Sequence, residues 1–199
     1  MSKAKLKIAV FASGSGTNAE RFFEHFKNSA VAEVALVCCN NPEAYVLERA
    51  KNHRIPSLLF TNQELKEAQP VIEKLQKEAI DFVVLAGFLR LIPAALVEAY
   101  PDKIVNIHPA LLPKWGGKGM YGSRVHEAVV QAKDLETGIT IHYVNNQYDE
   151  GNIIFQASCP VSPEDGPEEV AQKVHKLEHE HYPRVVEQLL QKQMENSGN

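Results

Sequence analysis

Asn106 and His108 stand two apart in "KIVNIHPALLP", where an apolar run ends in a proline. On an extended chain, residues two apart project to the same side, so an amide and an imidazole can face one reacting atom. With no serine or cysteine nucleophile nearby, that pair suits stabilising a developing oxyanion and moving a proton, not covalent catalysis. An imidazole in that role needs a carboxylate to orient it and raise its pKa. Asp149 in "YDEG", just before the last apolar run, is the best candidate. Taken alone, the Asn and His of a strand end read better as caps on neighbouring backbone; together with the glycine loop after the first strand they do not.

A second chemical feature is "SGSGTNAE", Ser13 to Glu20, which follows the first apolar run and opens a helical segment. Glycine lets backbone approach an anion, and a helix N-terminus favours negative charge. Ser15, Thr17 and Asn18 add hydroxyl and amide donors suited to a monophosphate. Gly14, Gly16 and Ala19 also satisfy the spacing of the dinucleotide fingerprint. That reading needs an acid after the second strand to hold the ribose, and the chain offers "CCNNP", Cys38 to Pro42, instead. The alternative is a tight turn that needs glycine for its geometry only.

These residues need a scaffold, and the hydrophobic pattern supplies one. Leu6 to Ala12, Glu33 to Cys39, Ser57 to Phe60, Phe82 to Gly87 and Lys103 to His108 read as strands. Their near-continuous apolar character suggests parallel strands buried on both faces. Between them, Asn18 to Lys27, Ala44 to Asn52, Gln63 to Lys77 and Ala94 to Ala99 read as helices. The alternation predicts an α/β fold: an open, doubly wound, mostly parallel twisted sheet flanked by helices. After a helix near Ser123 to Ala132, the runs Gly138 to Val144 and Asn152 to Val161 have no room between them for a crossover helix. They predict an antiparallel hairpin that brings the sheet to about seven strands. A long helix then starts near Pro167, Pro183 should kink or divide it, and "QMENSGN" reads as a frayed tail.

In such sheets ligands bind outside the carboxyl ends of the strands. The glycine loop, "GFLRLIP" (Gly87 to Pro93) and "NIHPALLP" all fall on that edge. The 199 residues fit a single domain, 1–199, with a nucleotide-binding half of about 1–100 and a catalytic half of about 101–199. A formal net charge of −4 gives no global positive field for nucleic acid or an anionic membrane. Three cysteines, with Cys38 and Cys39 adjacent and Cys159 distant, form neither a disulfide framework nor a zinc pattern, so a reducing, cytoplasmic setting is expected.

The set "GSGTN", "LAGFLRLI", "NIHPALLP", "GITIHYV", "YDEG" and "KLEHEHYP", spread over residues 14–183, closely resembles the phosphoribosylglycinamide formyltransferases, folate-dependent transformylases of purine synthesis. The N-x-H-P-x-L-L-P element with a downstream Asp marks the wider folate formyltransferase superfamily. The glycine loop and the "LEHxxYP" element narrow it. The resemblance implies a three-layer α/β/α formyltransferase fold, 10-formyltetrahydrofolate as cosubstrate, no metal, and a monomer or weak homodimer.

It also implies roles. Glycinamide ribonucleotide would place its phosphate on Gly14, Ser15, Gly16, Thr17 and Asn18 and meet Glu178 at its other end. The pterin would lie against Leu89, Arg90, Leu91 and Ile92, Asn106, and the loop carrying Asn145, Tyr148 and Asp149. Asn106, His108 and Asp149 would match the catalytic trio, with His142 either near the active site or a satisfied core histidine. His175, His179 and His181 read as a solvated helix face with Glu178 and Glu180, not a metal cluster.

The chain departs from the family pattern in two places. "KWGGKGMYGSRV" is about five residues longer than the family's loop and lacks its Pro-Gly, and its glycines from 116 to 122 read as a flap. Near position 64, where the family often carries an Arg toward the folate tail, the chain reads "NQELKE", leaving Lys66 as the nearest cation. Competing functions are formyltetrahydrofolate hydrolase, a methionyl-tRNA formyltransferase-like enzyme, and a silent nucleotide- or folate-binding module. The first would carry an extra N-terminal domain, the second a basic C-terminal one, and the third would not need the trio.

Overall fold

The computed structural model describes residues 4–196. Seven strands form one sheet in the order β3-β2-β1-β4-β5-β6-β7. They are β1 (Leu6–Phe11), β2 (Ala32–Cys39), β3 (Ser57–Leu59), β4 (Phe82–Leu85), β5 (Ile104–His108), β6 (Glu136–Tyr143) and β7 (Ile153–Pro160). The first five pair in parallel, while β6 and β7 run antiparallel. This is the doubly wound sheet with a C-terminal hairpin that the pattern predicts.

Strand alternation makes the core two-sided. Ile8 and Val10 of β1 face a layer holding Phe22, Phe26 and Tyr182, whereas Ala9 and Phe11 face a layer with Leu75, Leu96 and Ile104. The first layer belongs to α1 (Thr17–Phe26), α2 (Val46–Asn52), α6 (Ser123–Gln131) and α7 (Pro167–Asn196). The second belongs to α3 (Asn62–Glu67), α4 (Gln69–Lys77) and α5 (Ala94–Ala99). The strand order reverses between β1 and β4, the switch point where such sheets open a crevice.

Two helix expectations are corrected. The single helix over Gln63 to Lys77 is two, broken at Ala68 with φ 62°. Pro70 explains the break, because it has no N–H for the preceding turn and its ring crowds that turn's carbonyl. Conversely, α7 is not divided at Pro183, division being one of the two outcomes expected there. Buried Val174, Tyr182, Val186 and Leu190 press both sides of the proline onto the sheet, and that packing outweighs the lost hydrogen bond. The tail does not fray where expected: residues 193–196 are helical, and the rest of "QMENSGN" lies outside the described residues. Among the described residues, no helix is long and apolar enough to cross a membrane.

Candidate active site

At the carboxyl ends of β1, β4 and β5 lies a cavity of about 570 Å³. The glycine loop forms one wall. Its Gly16 caps α1 in the left-handed conformation, φ 71°, and offers no side-chain cap to that helix. The loop is braced from several sides: Ser13 Oγ donates to Asn40 Oδ1 at 2.8 Å, Leu89 N to Ser13 Oγ at 3.2 Å, and Val46 N to the Gly14 carbonyl at 3.2 Å. Arg49 Nε donates to the Ser15 carbonyl at 2.8 Å. The place where a dinucleotide fold needs an acid therefore holds Asn40, spent on supporting the loop.

Glu178 closes this end. It is buried, which corrects its placement on a solvated helix face. Its Oε2 accepts from Asn18 Nδ2 at 3.0 Å and from His175 Nδ1 at 2.8 Å. The carboxylate holds the His175 imidazole above its usual pKa, while burial works against it. Asn18 Oδ1 is buried with no protein partner, leaving an acceptor unspent beside the loop.

At the opposite wall the hairpin completes the trio. Asn106 pairs across the strands with His142, and Asn106 Nδ2 lies 3.2 Å from His142 Nε2. His142 Nδ1 donates to its neighbour's carbonyl, that of Tyr143, at 2.8 Å, while its Nε2 lies between the Asn106 amide and the Asp149 carboxylate. His142 thus touches the trio and is also a buried, hydrogen-bonded ring, which fits both of its readings. Asp149, in the turn between β6 and β7, sits with Oδ2 at 3.5 Å from His108 Nδ1 and Oδ1 at 3.6 Å from His142 Nε2.

Asp149 acts to raise the His108 pKa, the direction expected of it, but the net shift is downward. Burial pushes it below the usual imidazole value, and the raising influences of Asp149 and the Trp115 carbonyl do not offset that. Burial would raise Asp149, but His142, His108 and the Gly117 amide bring it below the usual carboxylate range.

Most sequence-selected residues meet around this one cavity: Gly14 to Asn18, Leu89 to Ile92, Asn106, His108, Tyr148, Asp149 and Glu178 all line it. Leu89 and Leu91 are exposed, offering apolar surface at the rim. Asn145 is the exception. It lies off the lining, and its Oδ1 instead accepts from Gln147 N at 2.9 Å. Lys66 is also off the lining, and Glu64 caps α3 in a reciprocal pair with Thr61.

Sequence reasoning passed over the cavity residues Lys118, Arg124 and His126. His126 carried a signal, being a polar residue at helical spacing from buried Val129. Buried Thr140 was also missed. Its hydroxyl donates to the Ala110 carbonyl at 2.7 Å and accepts from Leu112 N at 2.9 Å, holding the chain that leaves His108. Among the described residues, no group of three or more His, Cys, Asp or Glu is arranged to hold a metal ion.

The switch-point crevice, braced glycine loop and Asn-His-Asp cluster define an α/β protein built to bring small molecules together at one sheet edge. Residues 6–186 match the family described as formyl transferase, and the chain belongs to that family. The chain is 42% identical to phosphoribosylglycinamide formyltransferase of Bacillus subtilis (strain 168), covering 92% of this chain and 94% of that protein. It is 41% identical to the chloroplastic phosphoribosylglycinamide formyltransferase of Arabidopsis thaliana over 90% of this chain. The chain spans 64% of that plant protein's length. The crystal structure of glycinamide ribonucleotide transformylase 1 from Geobacillus kaustophilus superposes with a TM-score of 0.86 at 38% identity, covering 94% of this chain and 100% of that one.

Proposed function

We propose that this chain transfers a formyl group from 10-formyltetrahydrofolate to the amine of glycinamide ribonucleotide. The observation that carries this reading is one cavity with a phosphate-type glycine loop at one end and Asn106, His108 and Asp149 at the other, in a member of the formyl transferase family. The nucleotide's phosphate lies on Gly14 to Asn18, its glycinamide end reaches past Glu178, and the pterin packs on Leu89 to Ile92 beside Tyr148.

The neutral amine attacks the formyl carbon, and the carbonyl oxygen becomes an oxyanion that the Asn106 amide stabilises. One proton leaves the amine nitrogen for the His108 ring and passes to folate N10. The C–N10 bond then breaks and the carbonyl re-forms, releasing formylated amine and tetrahydrofolate. Asp149 steadies the imidazolium while it carries that proton.

The test is a formyl-transfer assay with both substrates and a control in which water is the only acceptor. Formylated glycinamide ribonucleotide is the expected product. Formate release independent of the amine would instead mark a hydrolase, and binding without turnover a silent module.

A further inference from the structure

The loop after Pro113 is clamped outside the cavity by a residue that does not line it. Trp115 Nε1 donates to Asp134 Oδ2 at 2.8 Å, and Lys114 Nζ donates to Asp134 Oδ1 at 2.6 Å while lying 5.1 Å over the indole. Trp115 has φ 59°, a conformation that aromatic residues seldom adopt and that needs an external hold. The indole's bond to Asp134 and its packing against the core supply one. Upstream, Gln156 Nε2 donates to the Leu112 carbonyl at 3.1 Å, and Thr140 fixes Ala110 and Leu112. The chain entering the glycine segment is thus held on both sides.

The clamp acts on the catalytic pair through main chain. The Trp115 carbonyl accepts from His108 Nε2 at 2.8 Å, and Gly117 N donates to Asp149 Oδ2 at 3.0 Å. A carbonyl can only accept, so His108 Nε2 keeps its hydrogen in both the neutral and the charged ring. The nitrogen left to change state is Nδ1, whose 3.5 Å separation from Asp149 Oδ2 is too long for a committed charge-assisted bond. The other titratable groups coupled to His108 are His142, Glu178 and His126.

We propose that Trp115 and Asp134 are positioning residues that lock His108 in its Nε2–H tautomer and so make Nδ1 the atom that takes and returns the proton. Which nitrogen of a histidine works is set by the bond its other nitrogen makes. In this site that bond is controlled from Asp134. The inference rests on the formyl-transfer reading for its chemistry, but the tautomer is observable without turnover.

Trp115→Phe keeps an aromatic ring and removes the indole donor. Asp134→Ala removes the acceptor, and Asp134→Asn keeps one for the indole. Nitrogen NMR of labelled histidines in the free protein, above the imidazole titration range, should show His108 as the Nε2–H tautomer in the wild type and in Asp134→Asn. Trp115→Phe and Asp134→Ala should show a tautomer mixture and lose at least about tenfold in kcat, with KM for both substrates changed less than about twofold.

A tautomer that stays put in both variants overturns the proposal, as does a mixture with undiminished kcat in an active enzyme. A wild type that transfers no formyl group while the two variants still show the tautomer mixture would sink the assigned reaction and leave the lock standing. If Asp134→Ala does not fold, Trp115→Phe alone decides.

Discussion

His108 is almost sealed from solvent, and burial makes its resting imidazole neutral at physiological pH. In the proposed reaction it must therefore accept a proton before it can give one, and Asn106 serves as the donor ready for the oxyanion from the start. Removing a single oxyanion donor costs on the order of 3 to 4 kcal/mol in comparable sites. Asn106→Ala and His108→Ala should each lower kcat by at least about a hundredfold with the unfolding midpoint little changed, and near-normal turnover in either variant would refute that residue's role. The pH profile tests the electrostatics separately. With the His108 pKa below its ordinary value of 6.5, the acid limb of kcat/KM should lie below that pH. Asp149 raises that pKa, so Asp149→Asn should move the limb to still lower pH in whatever activity remains, and a limb that stays or moves upward would contradict the assignment. At this scale the trio was legible because a two-residue spacing on a strand and a turn carboxylate are readable in sequence. The fall of the His108 pKa was not, since it depends on how deeply neighbours from β6 and the following loop bury the ring. Nor was the burial of Glu178, whose neighbours Asn18 and His175 come from one distant helix and one near turn.

The glycine loop is an element whose conformation is set by what packs behind it. Gly16 has φ 71°, and a Cβ there would stand 2.6 Å from both Cβ and Cγ2 of Val46 and 3.0 Å from its Cα. The first turn of α2 thus presses on the loop at a residue with no side chain to obstruct it. Gly16→Ala should cost at least about 1 kcal/mol of stability from the backbone strain alone. Relief requires the loop to move off α2, so affinity for inorganic phosphate or a sugar phosphate should fall with it. Calorimetry showing unchanged phosphate binding in a folded Gly16→Ala protein would remove the loop from the site. Around Gly14 a Cβ meets nothing within 4 Å, so the sensitivity belongs to Gly16 and not to glycine in general. Strands and most helices were readable because their apolar periods differ. The break at Ala68 was missed although Pro70 stood in plain view, because a helical period carried across it. Helix continuity through Pro183 follows from tertiary packing, which no local signal reports.

Across the whole molecule, α7 ties the two halves of the site together. Glu178 reaches the glycine loop from this helix, and one turn on Tyr182 is fully buried at the centre of the sheet. Its hydroxyl donates toward the carbonyls of Leu85 at 3.0 Å and Val105 at 3.2 Å. Leu85 ends β4, and Val105 directly precedes Asn106 of β5, the residue in register with Leu85. The ring also meets Phe22 of α1 edge-on, with centroids 5.0 Å apart, so one side chain joins α1, α7, β4 and β5. Tyr182→Phe keeps that packing and deletes only the hydroxyl, leaving buried carbonyls short of a donor. The expected loss is about 1 to 2 kcal/mol, seen as a lower denaturant midpoint with an unchanged slope. Because α7 contacts elements from both halves of the chain, the loss should appear in a single transition that fluorescence of Trp115 and circular dichroism report alike. Two separated transitions would mean that the nucleotide-binding and catalytic halves unfold independently, and that the helix does not couple them.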